Sequence, residues 1–169
     1  MVALAASEFA RTTCVRFVPR TNETDYLSLF RGSGCYSAVG RVGGEQKLSL
    51  ATACDRMGIV MHEFMHALGF WHEQSRMDRD KFVTIRWENI IHGTENNFQK
   101  YNSYIQQLLD EEYDYGSLMH YSQRAFSKNN RPTVEPKNII AGLIIGQRIG
   151  FSATDIRKIN KLYNCTDYL

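Results

Sequence analysis

Residues 62 to 73 read HEFMHALGFWHE. On a helix of 3.6 residues per turn, His62 and His66 lie about 40° apart and one turn from each other, so both imidazoles can reach one ion. Glu63 follows the first histidine and can point at a water on that ion without being a ligand. Gly69 tolerates positive φ, so it can end the helix and turn the chain sharply. Only such a turn brings His72 back to the same ion. Three neutral imidazoles leave a coordination position open, the mark of a catalytic zinc site. The chemistry implied is hydrolysis: zinc lowers the pKa of a bound water to about 7, and Glu63 can take its proton and pass it to a leaving amine.

The spacing is more specific than a bare HExxH. With Gly three residues after His66 and His three further on, a chance match arises in on the order of one chain in 100,000 at average residue usage. Three of the five histidines fall on the pattern. The other two, His92 and His120, are read without a metal role. The plainer alternative, a surface helix with scattered histidines and a glycine stop, leaves that coincidence without a cause.

The chain that must position these groups has 169 residues, one domain's worth, and can bury a core unaided. Apolar content of 43% and charged content of 22% are ordinary for a globular protein. A net charge of +2 without a basic run does not favour nucleic acid as a partner. No apolar stretch approaches the ~18 residues of a membrane span; the longest, Ile139 to Gly146, is far too short. The four cysteines, at 14, 35, 54 and 165, form no CxxC pair, which argues against a thiolate zinc site. They fit two disulfides in an oxidising compartment, with four reduced buried thiols as the alternative. Four cysteines allow three connectivities, and spacing does not choose among them. Sequons at Asn22-Glu23-Thr24 and Asn164-Cys165-Thr166 lean weakly toward secretion. No charged n-region precedes Val2 to Ala6, so the opening reads as helix rather than export signal.

Periodicity supplies the scaffold. Residues 1 to 13 read as the end of an amphipathic helix. Cys14 to Val18, Tyr26 to Phe30, Cys35 to Arg41 and Gln46 to Ala51 read as strands or short extended segments, with Leu48 and Leu50 on one side of the last. Gly43-Gly44 marks a turn. Asp55 to Leu68 is the metal-bearing helix, and Ile59, Val60, Phe64, Met65 and Leu68 give it apolar surface enough to be central. The second half is less regular. Ile90 to Leu109 shows mixed helical periodicity, with Phe98, Tyr101, Ile105 and Leu108 as inward positions. Arg131 to Lys137 reads as a loop around two prolines. Asp155 to Tyr163 reads as a closing helix capped by Ser152 or Thr154.

HEFMHALGFWHEQSRMDRD at 62 to 80, WENI at 87 to 90, YDYGSLMHY at 113 to 121, IGQRIGFS at 145 to 152 and CVRFVPRT at 14 to 21 resemble, in order, the astacin family of zinc endopeptidases. The extended histidine motif with a following Met-turn is the metzincin signature, and the protease domains of meprins are similar. The resemblance implies an α+β, two-lobed metzincin-like zinc protease domain. One lobe would hold a twisted, mostly parallel sheet and the active-site helix; the other would be irregular, with a final helix. It implies Zn2+ on His62, His66 and His72, Glu63 as general base, and Met119 in the Met-turn beneath the metal. Tyr121 would be a further ligand at rest that swings away to stabilise the tetrahedral intermediate; a phenol OH suits an oxyanion. Disulfides would join Cys14 to Cys165 and Cys35 to Cys54. Arg148 would be the cation that selects an acidic residue just after the scissile bond, since a guanidinium pairs a carboxylate through two parallel hydrogen bonds.

Residues 1 to 169 are thus expected to form one astacin-like catalytic domain acting on protein or peptide substrates, secreted, with no oligomeric state implied. Family domains are usually about thirty residues longer at the amino end, with a mature N-terminus buried beside the residue equivalent to Glu73. In this chain that carboxylate is expected to lack its ammonium. A zinc-binding pseudoenzyme or interaction module without turnover is the competing reading: intact Glu63 and Tyr121 oppose it, the shorter amino end favours it.

Overall fold

The computed structural model describes residues 1–102, 109–138 and 144–168. The inward positions expected at Ile105 and Leu108, and most of the apolar run from Ile139, lie outside them. The chain forms two compact units, residues 1–70 with 148–169 and residues 71–147.

In the first unit, helix α1 (Val2–Thr12) buries Ala5 and Phe9. Strands β1 (Tyr26–Phe30), β2 (Cys35–Ser37) and β3 (Glu45–Leu50) form a mixed sheet of order β1-β3-β2. β3 runs parallel to β1, Tyr26 opposite Glu45 through Phe30 opposite Ser49, and antiparallel to the shorter β2, Cys35 opposite Leu50. β3 can be central because its side chains alternate: Gln46 and Leu48 are buried, Glu45 and Lys47 exposed. Ser49 is buried as well; its hydroxyl donates to the Gly34 carbonyl at 2.7 Å and accepts from the Gly32 N–H at 3.2 Å, holding the β1–β2 turn.

Helix α2 (Met57–Ala67) is buried along almost its whole length. Phe64 anchors it, stacked on Phe17 at 4.1 Å between ring centroids and tilted against Phe9 at 6.1 Å. Phe9 also meets Phe151 edge-on at 4.7 Å. Burying each such ring contributes about 1.5–3 kcal/mol. Helix α3 (Ala153–Leu162) starts with a reciprocal capping box between Ser152 and Asp155. Asn160 donates to the Thr12 carbonyl at 3.1 Å and Tyr163 OH to the Leu68 carbonyl at 2.9 Å, tying α3 to the ends of α1 and α2. Disulfides join Cys14 to Cys165 and Cys35 to Cys54.

Three elements differ from the sequence expectation. Cys14 to Val18 forms no strand among the described residues. The Val15 N–H goes to Thr13 Oγ1, Cys14 is held by its disulfide, and Phe17 is drawn onto Phe64. The apolar alternation thus reflects side-chain docking rather than a ladder. In the second unit, residues 90–102 form no α-helix: short 3-10 turns at Trp87–Asn89 and Glu95–Phe98 flank Gly93, whose φ of +88° breaks the helical path. Phe98 is still buried, and Tyr101 packs on Trp71 at 4.0 Å. Within 131–137, expected as loop, β5 (Val134–Pro136) pairs antiparallel with β4 (Val83–Ile85). A two-stranded sheet has only edges, so a proline opposite Val83 is tolerated. Val83, Ile85, Ile90, Phe98, Tyr113, Tyr121, Val134 and Ile145 form this unit's core.

Candidate active site

Helix α2 presents His62 and His66 one turn apart, ring centroids 4.6 Å from each other. It ends in a Schellman turn: Gly69 N–H donates to the His66 carbonyl at 2.8 Å and Phe70 N–H to the Met65 carbonyl at 3.0 Å. Gly69 sits at φ +108°, where a side chain would strain the backbone. Further on, His72 is in extended conformation and opens a 3-10 turn at Glu73–Ser75. The outcome is that ring nitrogens of His62, His66 and His72 all lie within 4.8 Å of one another.

The surroundings suit a cation. His66 Nδ1 faces the Phe70 carbonyl at 2.8 Å, so that nitrogen carries the hydrogen and Nε2 keeps its lone pair. Burial lowers the His66 pKa to about 4, the Phe70 carbonyl opposes this, and the charge of Arg148 adds to it. The ring is therefore neutral at pH 7, as a ligand must be. Glu63 is 4% exposed, and its Oε2 has no hydrogen-bond partner among the described residues. Burial raises the Glu63 pKa to about 7, partly offset by Arg148. A buried carboxylate oxygen left open beside three imidazoles fits a base that handles a water on a bound metal; an ordinary structural carboxylate would be paired. The donor set, three imidazole nitrogens, is one zinc accepts.

Arg148 is half-buried, with its carbonyl packed against α2 at Gly58, where any Cβ would overlap it. Met119 is buried in a tight turn: its N–H donates to Ser117 Oγ at 3.0 Å, and its carbonyl accepts from the Glu73 N–H at 3.0 Å. The Tyr121 ring lies 4.5 Å from that of His72.

Glu73 takes a guanidinium in place of the ammonium. It is buried, but not without a counter-charge: Arg76 Nη1 meets its Oε1 at 3.1 Å, and the Asp114 N–H donates to the same oxygen at 3.0 Å. The 3-10 turn brings residue i+3 onto residue i, which supplies the cation locally. Arg76 in turn holds Asp78 through Nε and Nη2, at 2.9 and 2.8 Å, and donates to the carbonyls of Glu111 and Glu112. Arg76, Gln74 and Tyr113 carried no site role in the sequence reading, and His120 was read only as lacking a metal role; Gln74 and His120 hydrogen-bond the Tyr121 backbone, Tyr113 bonds His120, and Arg76 holds Glu73. The signal available was the Arg76-Met77-Asp78 spacing, a cation three residues after Glu73 and two before an aspartate.

The family model for astacin, a peptidase family, matches residues 1–164. The chain belongs to the astacin family. Among its relatives, zinc metalloproteinase nas-13 of Caenorhabditis elegans is 49% identical over 99% of this chain and 37% of its own length. Meprin A subunit beta of Homo sapiens is 48% identical over 98% of this chain and 24% of its own length. High choriolytic enzyme 1, a hatching enzyme zinc-protease from the medaka Oryzias latipes, superposes with a TM-score of 0.92 at 47% identity, over 97% of this chain and 81% of that one. The chain spans about a quarter to a half of the length of the curated relatives it matches. Within this astacin fold His62, His66 and His72 are the histidines positioned to bind the family's zinc.

Proposed function

We propose that residues 1–169 form a catalytic domain that cleaves peptide bonds in protein or peptide substrates with one zinc held by His62, His66 and His72. The observation that carries this is the convergence of three imidazoles within 4.8 Å beside a buried carboxylate whose Oε2 has no hydrogen-bond partner among the described residues. Zinc bound there supplies a Lewis acid that polarises the scissile carbonyl and acidifies the attacking water. Glu63 Oε2 takes the proton of that water and passes it to the leaving amine nitrogen. Its raised pKa, near 7, suits a group that must both accept and return a proton. The Tyr121 hydroxyl donates a hydrogen bond to the oxyanion forming on the substrate. Met119 packs, and does not ligate, beneath the histidines. Arg148 orients an acidic residue just after the scissile bond. Two disulfides suit an extracellular setting, and no helix among the described residues is long and apolar enough to cross a membrane.

Metal analysis and a fluorogenic peptide assay test this together. One zinc per chain, cleavage abolished by chelator, and loss of zinc in His66→Ala are expected. Unchanged zinc in His66→Ala, or a zinc-loaded chain that cleaves nothing, would overturn the proposal. Cleavage of a peptide library tests Arg148: the preference for Asp or Glu should weaken in Arg148→Ala, and equal cleavage before Asp and before Ala in the unaltered chain removes the idea.

A further inference from the structure

We infer that His120, Tyr113 and Gln74 are positioning residues that clamp the backbone of Tyr121 from both sides, so that its movement during turnover is confined to the side chain. The inference rests on the role given to Tyr121 above.

Both backbone groups of Tyr121 end on buried side chains. Its N–H donates to Gln74 Oε1 at 3.1 Å. Its carbonyl lies 2.7 Å from His120 Nδ1. A carbonyl can only accept, so Nδ1 carries the hydrogen, and the neutral ring then offers Nε2 as an acceptor. Tyr113 OH sits 2.7 Å from that Nε2 and is the donor. Burial, with Glu73 and Tyr115 adding to it, pushes the Tyr113 phenol well above its usual range, so it keeps its proton. His120 and Gln74 are fully buried. These bonds are therefore shielded from competing water, and losing one leaves a buried polar group unmatched.

The clamp has a fixed base. The Arg76 guanidinium lies over the Tyr113 ring at 5.5 Å and holds Glu73 and Asp78. Gln74 lies between His72 and Arg76 in the chain, so the turn that carries the third histidine also carries one jaw. Gln74 Nε2 has no partner among the described residues. A buried amide donor left open is a cost to stability. Leucine at 74 would avoid that cost but lose the bond to the Tyr121 N–H, so the glutamine is explained by that bond. The Tyr121 ring is seated among other rings, His72 at 4.5 Å and Phe98 and Phe126 each at 5.7 Å between centroids. Ring packing tolerates several relative orientations and yields to rotation more readily than two buried backbone hydrogen bonds yield to displacement. Movement is therefore confined to the side-chain torsions, and the hydroxyl returns to one place at each turnover.

A double-mutant cycle on kcat, with zinc content and melting temperature measured alongside, tests the clamp. His120→Leu removes the bonds to Tyr121 and Tyr113. It is expected to keep one zinc and to lower kcat roughly 10- to 100-fold, the scale of an ångström's misplacement, with KM changed much less. In Tyr121→Phe the same substitution should lower kcat by less than about twofold, because the clamp then has no hydroxyl to place. His120→Asn, which retains a donor near Nδ1, should recover most of the rate, as should Gln74→Glu relative to Gln74→Leu. Should His120→Leu not fold, Tyr113→Phe enters the same cycle. Equal losses with and without the Tyr121 hydroxyl would overturn the clamp while leaving the role of Tyr121 intact. A Tyr121→Phe variant at full rate would remove both.

Discussion

Glu63 and Arg76 show how differently two buried charges behave. Glu63 keeps an open oxygen, which is a liability for stability and a requirement for proton transfer. Glu63→Gln preserves shape but cannot accept the proton, so zinc content should stay at one per chain while kcat/KM falls by about 100- to 10,000-fold. Wild-type kcat/KM would refute the assignment. Arg76 is the opposite case, a buried cation matched by two carboxylates and two carbonyls. Arg76→Met strands the Glu73 carboxylate in the interior. Breaking such a pair by removing one partner costs about 3–5 kcal/mol, read as a fall in thermal or denaturant stability. Adding Glu73→Gln to Arg76→Met should restore part of it; a further loss would show that the pair is not the origin.

At the scale of elements, the junction after α2 controls the metal. Gly69→Ala places a Cβ at φ +108°, in backbone that L side chains rarely adopt. Forcing it costs about 1–2 kcal/mol or shifts the turn and moves His72. Weaker zinc retention against a chelator is therefore expected to accompany lower stability, and unaltered retention would separate the turn from the metal site. The start of α3 offers a cleaner comparison. Ser152→Ala removes one half of a capping box remote in sequence from the histidines, and should lower stability by about 0.5–2 kcal/mol with zinc content unchanged. A larger activity loss than stability predicts would mean that α3 reports to the active site through Tyr163 and Leu68.

For the molecule as a whole, the Cys14–Cys165 bridge closes a loop of sequence separation 151. In the chain-entropy picture such a closure contributes about 5 kcal/mol, and removal of native disulfides typically costs about 2–5 kcal/mol. Serine at both positions should lower the denaturant midpoint accordingly, and more than serine at Cys35 and Cys54, whose separation is 19. Acid should act through carboxylates. The Gly44 N–H and Arg41 hold Asp25 below the usual range, and Lys100 does the same for Asp80. Burial pushes Asp78 up, but Arg76 outweighs it and the net shift is down. Groups with depressed folded pKa values stabilise fully above the unfolded value, near 4, and lose that contribution as pH falls through the folded values. Melting temperature should therefore decline below about pH 4 through these groups; a flat profile from about pH 5 to 2 would contradict it.

What the sequence determined by itself was whatever depends on spacing along one element. His62, Glu63 and His66 follow from helical period, Gly69 from the need for positive φ, β3 from alternation, and β1 and β2 as short segments set off by glycines; the cap of α3 was narrowed to Ser152 or Thr154, and the structure chose Ser152. The disulfide connectivity was open on spacing and came only with the family resemblance. Tertiary structure decided what depends on neighbours remote in sequence. Phe17 looked like strand and proved to be a ring docked on Phe64, because alternation records which side chains are buried and not which backbone groups pair. Residues 90–102 kept an apolar rhythm without helix, since Gly93 and short turns can bury Phe98 as well as a helix can. The clamp on Tyr121 was invisible for the same reason, whereas the partner of Glu73 lies only three residues on and depended on a local 3-10 turn. Hydrogen bonds between Gln74, Tyr113, His120 and Tyr121 join residues up to 47 positions apart, and only packing brings those atoms within 3.1 Å.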